Sequence, residues 1–151
     1  MQFLQNNKFK KRLLSHSAIL IFALFNSPSI YAQECSLNNG QIVGKGDNSI
    51  ITIKEKNKYT IDGKECSFEG QFDTVAGGIG DGNTNMMNNK ITISNGQTIY
   101  NLYGSKTNSG SSSNNKVIID NAQVIWKVYG GYSEYKDTVS NLITISDNSM
   151  A

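Results

Sequence analysis

The chain has 151 residues, of which 38% are hydrophobic and 17% charged, and its formal net charge is +2 at pH 7. This length corresponds to one domain that buries a modest core. No apolar run reaches the roughly 18 residues that a membrane-spanning helix needs, so we expect no membrane span in this chain.

The beginning of the chain has the order of a secretory signal peptide. A basic segment at 8–12 precedes a short apolar stretch at 18–25, and a polar break then leads to Ala32, a small residue before the polar Gln33. The apolar stretch is too short for a membrane anchor. We therefore predict that 1–32 is a signal helix that engages the export machinery and is cleaved after Ala32.

Removal of this segment changes the charge of the remaining chain. Residues 33–151 contain ten lysines and twelve acidic residues, which give a net charge of −2, and they include no arginine, histidine or proline. Without arginine, nucleic-acid binding is disfavoured, and we expect no nucleic-acid partner. Without histidine, a Ser-His-Asp triad, a Cys-His pair and a histidine-ligated metal are excluded, and we predict no metal and no cofactor.

Two cysteines, Cys35 and Cys66, lie in this exported part. In an oxidising compartment their expected state is one disulfide that closes a loop of about thirty residues. In the chain-entropy description, closing such a loop stabilises the fold by at most roughly 4 kcal/mol. The alternative, a reactive thiol, needs an activating base or cation and is disfavoured because no histidine is available.

Residues 33–75 are expected to form an N-terminal cap. Segments 48–53 and 74–78 look like worn copies of half-units found farther along the chain, and the Lys/Glu-rich stretch at 54–64 suggests a short hairpin. A repeat array needs an atypical first unit to shield its open end from solvent.

Residues 76–151 are predicted to form the repeats, with units at 88–113, 114–139 and, incompletely, 140–151. The first half-unit recurs at a constant offset as Asn89–Ser94, Asn115–Asp120 and Asn141–Ser146. The second half-unit keeps that offset, so that Ile99–Gly104 aligns with Ile125–Gly130. A constant offset across two segments is typical of a repeat array.

Each unit has the pattern strand, turn, strand, loop. Alternation in 91–93 places two isoleucines on one face of a strand, and Ser94-Asn95-Gly96 is a turn signal. Residues 97–103 are rich in Thr, Ile and Tyr and form a second strand. The closing segment 104–113 is nearly all Ser, Asn and Gly, and we expect a flexible loop with nothing to bury.

A single strand pair of this kind cannot bury its apolar face alone, so neighbouring units must stack. We predict an all-β fold, a parallel β-helix (β-solenoid) of about 26 residues per repeat. Its expected ladders are Ile91/Val117/Ile143, Ile93/Ile119/Ile145 and Asn89/Asn115/Asn141. The asparagines either bond from unit to unit or are polar turn residues, and both possibilities stay open. The rival architecture, an antiparallel sandwich, needs no fixed period.

These repeats resemble the passenger domains of bacterial autotransporters (type V secretion). The family pattern is Asn-Asn-x-[Val/Ile]-Thr-Ile followed by a turn, a second strand and a Tyr-Gly-Gly step. The matching segments, within roughly 75–151, are Asn89–Ser94, Asn115–Asp120, Asn141–Ser146 and Val128-Tyr129-Gly130-Gly131-Tyr132-Ser133. The resemblance implies export by a signal peptide, a right-handed parallel β-helix passenger and a C-terminal barrel that translocates it. No barrel-like run of strands follows, and the third unit stops at Ala151, so we expect the N-terminal piece of a longer, truncated passenger.

The expected role is that of an exported cell-surface or secreted segment, in a Gram-negative bacterium, that serves adhesion or display. It would be periplasmic if the barrel is truly absent. The alternative is a small stand-alone secreted or periplasmic structural or binding protein with a disulfide-locked cap. No enzyme is expected, because the carboxylates of the repeats do not recur on a shared ladder; they are Asp120, Glu134, Asp137 and Asp147.

Aromatic residues near the second strand of each unit are the candidate binding site. They are Tyr100, Tyr103, Trp126, Tyr129 and Tyr132. If these rings point outward, they form a stacking surface for a glycan or protein of a host or bacterial surface, because each pairs an apolar face with a polar tip. The alternative is that the rings cover the sheet face and fill loops.

Overall fold

The computed structural model describes residues 35, 40–146 and 149–150, all within the compact unit Cys35–Ala151. The predicted signal peptide lies outside the described residues. The described part is all-β and has no helix. It therefore also has no helix that could cross a membrane.

Sixteen strands follow one another in the described part of the chain, several of them very short. They are β1 (Gln41–Val43), β2 (Ile50–Glu55), β3 (Lys58–Ile61), β4 (Lys64–Ser67), β5 (Phe72–Ala76), β6 (Ile79–Gly80), β7 (Met86–Met87), β8 (Lys90–Ser94), β9 (Thr98–Tyr103), β10 (Lys106–Thr107), β11 (Ser112–Ser113), β12 (Lys116–Asp120), β13 (Gln123–Tyr129), β14 (Tyr132–Ser133), β15 (Thr138–Val139) and β16 (Leu142–Ile145).

These strands form four sheets, which we call sheets I to IV. Sheet I has the order β1-β5-β9-β13, sheet II β6-β10-β14, sheet III β7-β11-β15 and sheet IV β4-β3-β2-β8-β12-β16. From β5 onward the chain passes through sheets I, II, III and IV in this order three times. Sheets I to III are parallel throughout, and so is the part of sheet IV from β2 to β16.

The predicted period is confirmed in sheet IV. Lys116 pairs with Lys90 on one side and with Leu142 on the other, which are the residues at the repeat offset before and after it. This register brings together both predicted aliphatic ladders, Ile91/Val117/Ile143 and Ile93/Ile119/Ile145. The inner members of these ladders are fully buried in one continuous aliphatic core, which is the main hydrophobic contribution to stability.

The N-terminal segments that resemble the half-units belong to the same sheets. Strand β2 pairs with β8 in parallel, with Ile51 opposite Ile91, and β5 pairs with β9, with Val75 opposite Leu102. The separation of Ile51 from Ile91 exceeds one period because an insertion follows β2. In this insertion the predicted hairpin is present: β3 and β4 add to the outer edge of β2 in antiparallel orientation.

The predicted disulfide is confirmed. Cys35 and Cys66 are bonded, with an S–S distance of 2.05 Å and their Cα atoms 5.6 Å apart. Cys66 lies on β4 and is buried beside the aromatic residues of this end of the core. The bridge therefore fixes the chain before β1 to the outermost strand of sheet IV.

The prediction of a flexible closing loop at 104–113 is wrong. This segment contains β10 and β11, which pair in register with their counterparts in both neighbouring units. Three hydroxyl residues, Ser105, Thr107 and Ser112, are completely buried there. An interior held by hydroxyl and amide hydrogen bonds leaves no apolar pattern in the sequence, which is why hydropathy did not reveal it.

The alignment of the second strands also needs correction. Ile99 pairs with Val124, one position short of the expected Ile125, whereas Tyr103 pairs with Tyr129 at the full period. The turn before β9 contains Asn95 and Gly96 at positive φ, but Ala122 replaces the glycine in the next unit and the turn before β13 is one residue shorter. Because the turn is shorter, β13 has one residue more than β9 over the same length, and this residue forms a β-bulge inside β13.

Candidate functional site

The asparagines of the repeat form a hydrogen-bonded ladder at the corner between sheets III and IV. Asn89 donates from its backbone N–H (3.0 Å) and from Nδ2 (2.9 Å) to Oδ1 of Asn115. Asn115 makes the same two bonds to Oδ1 of Asn141, at 3.0 and 2.9 Å. In the first described unit, Ser49 takes this position and donates its N–H to Asn89 Oδ1 at 2.9 Å. The first of the two possibilities that the sequence left open is therefore correct.

The two asparagines of each Asn-Asn pair have different roles. Asn88 and Asn114 adopt positive φ, at 57° and 55°, and turn the chain into sheet IV. Asn89 and Asn115, which follow them, are both buried and carry the ladder. Asparagine tolerates the left-handed region better than most side chains, which explains the first position, and its amide both donates and accepts, which explains the second.

A column of glycines lies opposite the ladder, at the corner between sheets I and II. A Cβ at Gly104 would collide with the carbonyl oxygen of Gly130 and would lie 2.8 Å from Cβ of Asn115. At Gly130 the added carbon would lie 2.9 Å from Cβ of Asn141. The Tyr-Gly step and the Asn-Asn step of the sequence are therefore two sides of one narrow interior, where only glycine leaves room for the amides.

Serine hydroxyls complete this polar interior. Nδ2 of Asn115 also donates to the hydroxyls of Ser105 at 3.0 Å and Ser112 at 3.2 Å, and these two hydroxyls bond each other at 2.6 Å. Among the described residues no buried side-chain nitrogen or oxygen is left without a hydrogen bond. Complete satisfaction makes this region stabilising, since each buried polar atom without a partner would cost about 1–3 kcal/mol.

Three of the five candidate aromatic residues meet on the outside of the glycine corner. Tyr103 stacks on Tyr129 with ring centroids 5.4 Å apart and planes within 7° of parallel. Tyr132 makes T-shaped contacts with both rings, with its centroid 6.4 Å from Tyr103 and 5.4 Å from Tyr129. Nζ of Lys106 lies 5.5 Å from the centre of the Tyr103 ring, within the range of a cation–π contact. We call these four residues the tyrosine–lysine cluster.

The tyrosines of the cluster differ in exposure. Tyr103 is only 8% exposed although it lies outside the aliphatic core, because the two neighbouring rings cover it, whereas Tyr129 is 38% exposed. Burial raises the pKa of the Tyr103 hydroxyl above its ordinary value, and the neighbouring Tyr129, Tyr132 and Asp73 raise it further. The hydroxyl of Tyr103 therefore stays protonated over the whole neutral range.

The other two candidates lie at the bulge. Trp126 is 74% exposed, and Nζ of Lys127 lies over its ring, 5.4 Å from the ring centre. Tyr100 is half-buried and lies across from the bulged pair Ile125 and Trp126. Within the described residues no ring contact joins Trp126 or Tyr100 to the tyrosine–lysine cluster. The five predicted residues thus separate into two groups. Three tyrosines lie in the packed cluster, and Tyr100 and Trp126 lie at the bulge.

The described part of the chain also has a surface groove at its hairpin. A groove of about 450 Å³ lies along β2, β3 and β4, and its charged lining residues are Lys54, Glu55, Lys58 and Glu65. Lys58 and Glu55 pair at 3.1 Å on the surface. Within residues 35, 40–146 and 149–150, no three His, Cys, Asp or Glu side chains form a group that could hold a metal ion.

No protein-family model matches the chain, and comparisons with curated proteins and with solved structures found no similar protein.

The sequence did not predict the participation of Lys106 or of the serines. Ser105 and Lys106 directly follow the Tyr-Gly step, and Ser112 precedes the Asn-Asn step. Neither serine recurs in the neighbouring units, where Gly131 takes the place of Ser105 and Thr138 that of Ser112, so the repeat alone does not mark them as buried.

Proposed function

We propose that this chain is part of an exported β-solenoid of the autotransporter passenger type, which serves adhesion or display. The observation that carries the proposal is the passage of the chain through sheets I to IV, in the same order, three times. Parallel pairing of each strand with its counterpart one unit away is how a solenoid buries its interior.

The interior supports a display role more than a catalytic one. Its residues are aliphatic ladders on one side and fully bonded amides and hydroxyls on the other, and neither group is free to react. The variable features lie outside, on the corners and the bulge. Such a scaffold holds surface residues at fixed distances along its length, which suits a surface that meets a partner.

The architecture is tested by duplicating one unit. A second copy of residues 114–139, inserted after 139, should add one strand to each sheet. The longest dimension in small-angle X-ray scattering should grow by about 5 Å per added unit, the distance between neighbouring strands. Loss of the β circular dichroism signal in the duplicated chain, or an unchanged longest dimension, would contradict a solenoid.

Export is tested separately. The full chain, joined to the translocating barrel of a known autotransporter in a Gram-negative host, should become accessible to added protease on intact cells. The same fusion without residues 1–32 should stay inside and serves as the matched control. Equal protection of both fusions would overturn the passenger proposal.

A second candidate is a small stand-alone secreted or periplasmic binding protein with a disulfide-locked cap. The bond between Cys35 and Cys66 and the antiparallel strands at the edge of β2 favour it. Light scattering on the full chain isolated from the periplasm distinguishes the two. A soluble monomer supports the stand-alone protein, and concentration-dependent association supports a segment of a longer solenoid.

A further inference from the structure

The turn between β8 and β9 contains a chemically labile pair of residues. Asn95 and Gly96 are both exposed, and both adopt positive φ, at 59° and 73°. In an Asn-Gly pair the backbone nitrogen of the glycine can attack the side-chain carbonyl carbon of the asparagine, because glycine has no side chain that hinders the approach. A Cβ built on Gly96 would meet no atom within 4 Å. Crowding at the glycine therefore does not protect this pair.

Two hydrogen bonds along the stack hold the reacting groups instead. The N–H of Gly96 donates to the carbonyl oxygen of Asn121, in the following unit. Nδ2 of Asn95 donates to the carbonyl oxygen of Lys54, at 3.2 Å, on the opposite side of β8. The attacking nitrogen and the leaving amide are thus bonded to opposite neighbours. Since the nitrogen must lose its proton and come close to Cγ of Asn95, its bond to the following unit has to open before reaction.

We propose that Asn95-Gly96 is a deamidation site that stays intact while the following unit is stacked and reacts when that unit opens. The deprotonated nitrogen of Gly96 forms a bond to Cγ of Asn95, the bond from Cγ to Nδ2 breaks, and ammonia leaves, which gives a five-membered succinimide. Water then opens this ring at either carbonyl group, to aspartate or to isoaspartate. Water is taken up and ammonia is released, so the reaction needs no oxidant and no cofactor.

The change is not reversed when the unit closes again. A carboxylate only accepts hydrogen bonds, so neither product can donate to the carbonyl oxygen of Lys54 as Nδ2 of Asn95 does. Isoaspartate also lengthens the backbone of the turn by a carbon atom. A chain whose units have been apart therefore keeps a chemical record of the opening at this turn. The inference depends on the stacking of the units and not on the adhesion role.

The following unit contains a matched comparison. Its turn, between β12 and β13, has Asn121 at a positive φ of 49° but Ala122 in place of the glycine. The methyl group of the alanine hinders attack by its nitrogen, so Asn121 should deamidate much more slowly than Asn95 in the unfolded chain. This pair of turns separates the reactivity of the dipeptide from the effect of the fold.

The test follows deamidation of the full, disulfide-bonded chain at mildly alkaline pH, with and without guanidinium chloride. Mass spectrometry after cleavage at lysine measures Asn95 in peptide 91–106 and Asn121 in peptide 117–127. Asn95 should react at least about tenfold more slowly in the folded chain than in the unfolded one, because opening of a packed unit is rare. Equal rates in the two states would overturn the inference, and so would equal rates for Asn95 and Asn121 in guanidinium chloride.

Two variants test which opening controls the reaction. Ile119→Ala removes a fully buried side chain from the following unit, whereas Ile61→Ala removes one from the hairpin at the other end of sheet IV. In native buffer Ile119→Ala should accelerate deamidation of Asn95 at least about tenfold, and Ile61→Ala much less. Equal acceleration would show that the chain opens as a whole and would overturn protection by the following unit. Circular dichroism verifies that both variants fold, and the comparison within wild type stands without them.

The lasting effect of the reaction has its own test. Asn95→Asp carries the side chain of the aspartate product and should lower the melting temperature by about 3 °C, since the bond to Lys54 is lost. Asn57→Asp is the control and should not lower it: Asn57 also has positive φ, at 64°, and it lies in the hairpin turn between β2 and β3. A melting temperature of Asn95→Asp equal to that of wild type would overturn the lasting effect.

Discussion

Two halves of the repeat unit share one period but are stabilised by different forces. In sheets I and IV the interior consists of aliphatic ladders, which hold by burial alone. Between sheets II and III the interior consists of amides and hydroxyls, which hold by directed hydrogen bonds. The aliphatic ladder accepts Val117 between two isoleucines, whereas Asn89, Asn115 and Asn141 are identical and only Ser49, at the end of the ladder, differs. Burial has no direction and tolerates exchange, whereas a residue within the amide ladder must both donate and accept.

The largest expected effect belongs to the aliphatic side. Ile93→Ala removes a fully buried side chain that lies between Ile53 and Ile119 and should lower the free energy of unfolding by about 4 kcal/mol. Ile93→Val should lower it by only about 1 kcal/mol, since a valine already fills the neighbouring ladder. Urea unfolding of the full chain measures both. A valine variant as unstable as the alanine one would show that the aliphatic ladder does not tolerate exchange.

On the polar side, removal of a single amide group should lower the free energy of unfolding by a large amount. Asn115→Ala removes the acceptor of the Asn89 N–H and leaves Oδ1 of Asn141 with the backbone N–H of residue 115 in place of two donors, and we expect a loss of about 3 kcal/mol although few apolar atoms are removed. Asn83→Ala, at an exposed position, is the control and should change stability by less than about 0.5 kcal/mol. If Asn115→Ala were as mild as Asn83→Ala, the hydrogen-bonded ladder would not contribute to stability.

The smallest of the three effects concerns the space between the two corners. Gly104→Ala should cost about 2 kcal/mol, because the new Cβ meets the backbone of Gly130, which has no room to move. Gly82→Ala is the control: Gly82 has φ of 79° but open space around it, so that variant measures backbone strain alone. Equal stability of wild type and Gly104→Ala, by the same unfolding measurement, would show that the corner can open.

The sequence was sufficient to predict the structure where the buried side chains are hydrophobic. Alternating isoleucines at a constant offset predicted sheet IV, its register and the parallel pairing, because side-chain alternation and period are both visible in the residues. The alternation of apolar residues gave no indication of the two short strands in 104–113. Ser105, Thr107 and Ser112 are the residues that also form exposed loops, and only the contact with Asn115 explains the burial of the two serines.

The candidate site was predicted in part, for a similar reason. The repeat aligned Tyr103 with Tyr129, and these rings do stack. It also aligned Ile99 with Ile125, and this alignment was wrong, because Ala122 replaces the turn glycine, the turn before β13 is one residue shorter, and Tyr100 faces both Ile125 and Trp126 at the bulge. Lys106 belongs to sheet II, whose short strands have no apolar pattern. The sequence therefore could not place this lysine beside Tyr103.

The bulge in β13 makes one position of the surface different from the unit before it. In sheet IV, residues at the repeat offset lie directly opposite one another. At Ile125 and Trp126 two residues instead lie opposite one, and Trp126 is 74% exposed. One omitted turn residue thus places an exposed indole ring where the preceding unit has the half-buried Tyr100.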